Sequence, residues 1–157
     1  MPRSLVTARA LALALPAALL AGAWASQLIG GLVPCEMCHW QRWPHYAALV
    51  PALLTFIIPG TAAKRAMVTL AALAIAVSGA IGVFHAGVEY HWWEGITACT
   101  APAPRGGDLL ADILSRPIIR CDVAQWTLVG VSLAGFNAIF SLGGAAIVAA
   151  LAWRKAR

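Results

Sequence analysis

Charge is what this chain has least of. Only 11% of its 157 residues are Asp, Glu, Lys or Arg, less than half the share of roughly 25% in an ordinary soluble domain. Beside 61% hydrophobic residues, that scarcity argues against a soluble core and for a membrane protein. Sequence repeats and low-complexity linkers are missing too, so residues 1–157 read as one domain. No cysteine falls within the four long apolar stretches, and no acid falls within the first 35 residues.

What is there is apolar sequence in four stretches, about 10–33, 43–59, 66–88 and 126–152. A helix needs about 20 apolar residues to cross a bilayer. The second stretch is short and contains Pro51. The first has a rival reading as a cleavable signal peptide, with Arg3 and Arg9 ahead of an Ala/Leu run and "AWA" before Ser26. Its apolar character continues through Ile29 to Val33, long enough to span, so a retained helix is expected. The expectation is an all-α integral membrane protein, a four-transmembrane-helix bundle embedded in a lipid bilayer.

Charge placement orients it. Segments 1–9, 60–65 and 153–157 carry Arg3, Arg9, Lys64, Arg65, Arg154, Lys155 and Arg157 and no acid. Loops 34–42 and 89–125 carry Glu36, Glu89, Glu94, Asp108, Asp112 and Asp122, with Arg42, Arg105, Arg116 and Arg120. Cytoplasmic loops are enriched in Lys and Arg. The face with seven of the eleven basic residues is therefore expected to be cytoplasmic, with both termini. The net charge of +5 then reports orientation, and no nucleic-acid partner is expected.

All four cysteines fall on the other face, Cys35 and Cys38 in its first loop, Cys99 and Cys121 in its second. An oxidising compartment lets disulfides persist. Two structural bridges would explain them, but a C-x-x-C ring closes almost no loop and constrains the unfolded chain little. Cys35-Glu36-Met37-Cys38-His39 matches the c-type haem pattern C-x-x-C-H. Haem would need room for a macrocycle in a loop of about nine residues, and would leave Cys99 and Cys121 unexplained. Zinc could take all four thiolates, although Cys99 and Cys121 are 22 residues apart rather than a knuckle. A redox dithiol uses all four cysteines and Arg42. Four residues beyond Cys38, Arg42 shares its helical face, and a guanidinium beside a thiol favours the reactive thiolate.

Three segments carry a resemblance. "PCEMCHWQRW" resembles the P-C-x-x-C-x-x-x-R segment of the bacterial disulfide bond formation protein B family, DsbB. "GVFHAGVEYHWWEG" before Cys99 is similar to the family's third-helix exit and second periplasmic loop, and "CDVAQWTLVGVSLAGFN" to the segment after its last cysteine. The resemblance runs nearly the whole chain in order. It implies an inner-membrane enzyme that reoxidises a periplasmic thioredoxin-fold DsbA-type oxidase and passes the electrons to a membrane quinone, ubiquinone or menaquinone. It implies that Cys99 and Cys121 form the disulfide that meets the partner, and that Cys35 and Cys38 face the quinone with Cys38 in contact. Arg42 would then hold a quinone oxygen, and His85, with Glu89 one turn on, would belong to the quinone site. A vitamin K epoxide reductase-like bundle is a related alternative, disfavoured by a C-x-x-C in the first outer loop.

The remaining expectations are plainer. His85 also suits a helix C-terminus, and His45 and His91 are read as ordinary interfacial residues. Trp40, Trp43, Trp92, Trp93 and Trp126 suggest an aromatic belt. Asn137, Ser78 and the glycines 79, 82, 130, 135, 143 and 144 read as interhelical contacts. Residues 106–117, "GGDLLADILSRP", read as a short amphipathic helix capped by Asp108, ended by Pro117 and lying on the outer leaflet.

Overall fold

The computed structural model describes residues 1–97, 99 and 119–154. Among them are four long helices, α1 (Arg3–Leu28), α2 (Glu36–Ile57), α3 (Thr61–Glu89) and α4 (Leu133–Trp153), and a hairpin of β1 (Thr127–Leu128) and β2 (Val131–Ser132). The expected helix over 106–117 lies outside the described residues. The helices α1, α3 and α4 are long and apolar enough to cross a bilayer. Helix α2 is long enough, but His39, Gln41, Arg42 and His45 dilute its first half.

The bounds differ from the sequence expectation in instructive ways. The first helix stops at Leu28 rather than running to 33, because Gly30, Gly31 and Pro34 follow. The second starts at Glu36 rather than 43, with Cys35 as its N-cap, and continues through both Pro44 and Pro51. The stretch 126–132 is not the start of the fourth helix. Thr127 pairs with Ser132 and Leu128 with Val131 across a two-residue turn, where Val129 and Gly130 both have positive φ, 52° and 76°. Two left-handed residues are the requirement of a type I′ hairpin.

Helices α1 and α3 each pack between α2 and α4. The end where α1 begins is filled by small apolar side chains, among them Leu5, Ala8, Ala52, Val68 and Val148. Glycines on α3 bring α4 close. A Cβ at Gly82 would lie 3.0 Å from the Ala134 carbonyl oxygen, and one at Gly79 2.8 Å from Leu142. Gly135 packs against Val131, and Gly144 against Leu15 of α1. Gly130 and Gly143 do not serve this purpose, since a Cβ at either would meet nothing within 4 Å.

The end of α3 shapes the site. Trp92 N–H donates to Gly87 C=O at 2.8 Å and His91 N–H to Val88 C=O at 3.1 Å, with His91 at φ 58°. This is a Schellman turn with histidine in the position glycine usually takes. It folds Trp93 back over Gly87, where a Cβ would enter the indole ring. Trp93 Nε1–H donates to Phe84 C=O at 2.9 Å, and the Trp93 and Phe84 rings stack. Trp93 is therefore a helix-terminating contact, and Trp40 packs against the cysteines. Trp43, Trp92, Trp93 and Trp126 are all exposed, as an aromatic belt requires.

Candidate functional site

The four cysteines meet. Cys99 and Cys121 are joined by a disulfide, while Cys35 and Cys38 are free. Both pairs belong to one cluster with Met37, Val88 and Trp40. The loops that carry them are tied by Gln125. Its Nε2 donates to Val33 C=O at 2.6 Å, and its Oε1 accepts from Val33 N–H at 3.1 Å. Tyr90 fastens the hairpin beside them, donating to Gly130 C=O and accepting from Ser132 N–H.

The C-x-x-C segment straddles a helix start. Cys35 is the N-cap of α2, and its Sγ accepts from Cys38 N–H at 3.3 Å. Cys38 lies in the first turn, where the helix dipole favours negative charge. The two sulfurs are 2.9 Å apart. The Cys35 thiol donates to Cys38, which pushes Cys35 above the usual thiol range, with burial adding to the effect. The same hydrogen bond draws Cys38 below that range, and Arg42 contributes in the same direction. The pair is thus polarised, with ionisation favoured at Cys38 and Cys35 as its hydrogen-bond donor.

Arg42 is buried but is held mainly by α1. Its Nη1 donates to Gln27 Oε1 at 2.8 Å and its Nη2 to Ala23 C=O at 3.0 Å, and its guanidinium lies over the Trp24 ring. It shares a cavity wall with Cys38 rather than clamping its sulfur. That cavity, about 290 Å³, is bounded by α1, α2 and α4, by His85 and Glu89 at the end of α3, and by residues near 32–35 and 120–126. Its lining is mostly apolar, with Cys38, Arg42 and His45 among the polar exceptions.

His85 stands between the pairs. Its Nε2 is 3.6 Å from Cys35 Sγ and 3.7 Å from Glu89 Oε1, and the ring lies near the Cys121 backbone. Two backbone carbonyls fix which ring nitrogen carries the hydrogen. Asn137 Nδ2 faces Ser78 C=O at 3.1 Å, so it is the amide nitrogen, and it donates to Gln41 Oε1 at 2.8 Å. Gln41 Nε2 then faces Met37 C=O at 3.3 Å and His85 Nδ1 at 2.7 Å. Nδ1 must accept, so Nε2 carries the hydrogen in the neutral ring.

That assignment bears on metal chemistry. Donor atoms of Cys35, Cys38 and His85 lie within 4.8 Å of one another, but the His85 nitrogen that faces the sulfurs is protonated. Cys99 and Cys121, joined to each other, cannot supply the other half of a Cys₄ zinc set. His39 is exposed, and the histidine beside the thiols is His85, so the C-x-x-C-H match does not describe the site.

Sequence reading missed Gln41 and His45. His45 Nε2 is 2.9 Å from Ser78 Oγ and 3.0 Å from Asn137 Oδ1. Both residues join a buried network with Ser78, Asn137 and Ser141. The signal was present: Cys38, Gln41, Arg42 and His45 follow the i, i+3, i+4, i+7 spacing of one helical face. Asn137 bears out its reading as an interhelical contact, linking α2, α3 and α4.

Comparison with known proteins identifies the family. No solved structure matches. Disulfide bond formation protein B of Verminephrobacter eiseniae (strain EF01-2) is 33% identical over 147 residues, covering 86% of this chain and 79% of the relative. The family model described as Disulfide bond formation protein DsbB matches residues 6–151. With a free C-x-x-C pair packed on a disulfide at one end of an apolar helical chain, the protein belongs to the DsbB family of disulfide bond formation proteins.

Proposed function

We propose that the protein is a membrane thiol:quinone oxidoreductase, which reoxidises a periplasmic thioredoxin-fold oxidase of the DsbA type and passes the electrons to ubiquinone or menaquinone. One observation carries this reading: the Cys99–Cys121 disulfide packs against the free Cys35/Cys38 pair, and Cys38 lines the cavity. A single pair could not touch both a protein and a lipid-soluble oxidant.

Residues 1–157 form one domain with four membrane crossings in the inner membrane, cysteine loops periplasmic and both termini cytoplasmic. Helix α2 crosses although it is less apolar than the others, because Gln41 and His45 turn inward to partners on α3 and α4. Intramembrane polar groups face the interior in this way.

A thiolate of the reduced partner attacks the Cys99–Cys121 disulfide, and the mixed disulfide resolves to leave the partner oxidised and Cys99/Cys121 as a dithiol. That dithiol reduces a Cys35–Cys38 disulfide by the same exchange and is itself reoxidised. A quinone in the cavity supplies the two-electron, two-proton sink. The cavity is of ring size, and its walls fit such a group, with an apolar lining and Arg42 for an oxygen. Cys38 provides the thiolate, Cys35 stabilises it through S–H, and His85 holds Cys35 and Cys121 in register.

The test is oxidation of a reduced thioredoxin-fold partner by the purified protein, with one quinone consumed per disulfide formed. If Cys99–Cys121 stays oxidised beside a reduced partner, the bridge is structural and this reading fails.

A further inference from the structure

Two residues that line the cavity, His45 and Glu89, each carry a buried polar atom, Nδ1 and Oε2, with no hydrogen-bond partner among the described residues. His45 is 3% exposed. Its state follows from the locked amides. Asn137 Nδ2 is the donor to Ser78 C=O, so Asn137 Oδ1 is an acceptor, and His45 Nε2 must donate to it. Ser78 and Ser141 hydroxyls lie beside the same nitrogen. No carboxylate is among these partners, and an unpaired buried imidazolium would be costly. His45 is therefore neutral, with a bare lone pair on Nδ1. A buried acceptor without a donor is costly, so the atom calls for a ligand that donates.

We propose that His45 Nδ1 accepts a hydrogen bond from a hydroxyl of a hydroquinone bound in this cavity, so that the site holds the reduced ring more tightly than the oxidised one. This deepens the quinone reading given above and rests on it. The oxygens of an oxidised quinone only accept, and leave Nδ1 bare. Arg42 donates to an oxygen of either form and does not discriminate. The two residues are three apart on α2, about 4.5 Å along the axis, on the scale of a ring with oxygens at opposite ends. The overall exchange is balanced: Cys35/Cys38 dithiol and quinone become disulfide and hydroquinone, with two electrons and two protons moving from sulfur to ring oxygen. Preference for the hydroquinone favours the disulfide at this site. His45 is a specificity-determining residue in this scheme.

The measurement is the dissociation constant for decylubiquinone and for decylubiquinol, by anaerobic titration calorimetry of the full chain carrying Cys38→Ser, so that no electrons move. The expected result is quinol binding roughly 2- to 10-fold tighter than quinone, the worth of one net hydrogen bond. His45→Gln keeps a donor toward Asn137 but offers nothing at the Nδ1 position, and the ratio falls to about one. His45→Asn offers an amide oxygen at that position and keeps the preference. Equal affinities with His45 present overturn the proposal, as does an unchanged preference in His45→Gln, which would mean that only water meets Nδ1. If His45→Gln does not fold, loss of the preference in His45→Asn overturns it instead. Binding of neither form ends the quinone reading and this proposal together, whereas tight binding of both without preference ends this proposal alone.

Discussion

Where α1 begins and α4 ends, the interior is Leu5, Ala8, Ala12, Ala52, Val68 and Val148. Where α2 begins, it is Gln41, His45, Ser78, Asn137 and Ser141. The same four helices run through both ends. The first end holds them by close contact of small side chains, which tolerates sliding. The second holds them by amides whose orientation is set by backbone carbonyls, which does not. Helix α2 is the least apolar of the four, and the polar end is where it is tied in. Directional bonding is thus concentrated beside the cysteines, at the expense of desolvating five polar side chains.

The largest effect expected on this contrast is chemical. Cys38→Ser should abolish quinone-linked turnover while leaving both ends folded, and the Cys99–Cys121 bridge should still accept electrons once. Multiple turnovers in that variant, followed by partner oxidation, would break the relay.

At the apolar end the effect should be purely structural. Leu5 is fully buried, so Leu5→Ala should lower stability by about 2–5 kcal/mol, read from thermal or denaturant unfolding in detergent. Its quinone dependence per folded molecule should match wild type. A changed Michaelis constant for quinone would mean that the two ends are coupled.

Arg42 sharpens the contrast from the other side. A charge-assisted hydrogen bond contributes about 1.5–3 kcal/mol, so Arg42→Ala should weaken quinone use by roughly 10- to 150-fold. Arg42→Lys should weaken it partially, because the ammonium keeps the charge but lacks the planar fork that reaches both Gln27 and Ala23. Single-turnover partner oxidation should be almost untouched in both. Wild-type quinone dependence in Arg42→Ala would make Arg42 an α1–α2 tether only.

A smaller effect concerns pH. In the reduced pair Cys38 titrates below the usual thiol range and Cys35 above it. Iodoacetamide should therefore modify Cys38 first, with a rate that rises at a pH where Cys35 is still protonated. Peptide mapping across a pH series checks this, and equal rates at both sulfurs would refute the polarised pair.

Much of this was legible in the sequence. The apolar stretches and the C-x-x-C pointed to four helices in order with a dithiol between the first two, but the polarisation of Cys38 comes mainly from the Cys35 thiol, with Arg42 a lesser contributor. The hairpin over 127–132 was not legible, because Thr127, Leu128, Val131 and Ser132 continue the apolar run of α4 without a break. Short apolar runs do not distinguish strand from helix by periodicity. The start of α2 was misplaced for a different reason: a segment with His39, Gln41 and Arg42 looks like a loop until its polar side chains are seen to face partners. Arg42's attachment to Gln27 and Ala23 depends on how α1 lies against α2, which no local pattern encodes.

The hairpin tip offers a practical handle. Val129 is 94% exposed and sits at φ 52°, where a β-branched residue is held against its preference. A left-handed L-residue of this kind costs roughly 1–2 kcal/mol, and the side chain recovers little of it by packing. Val129→Asn would give the Asn-Gly pair that type I′ turns favour, without the added unfolded-state freedom that glycine brings. A gain of about 1 kcal/mol in detergent, with quinone dependence unchanged, is expected. Such a substitution would lengthen the working life of the purified protein without changing any residue that lines the cavity.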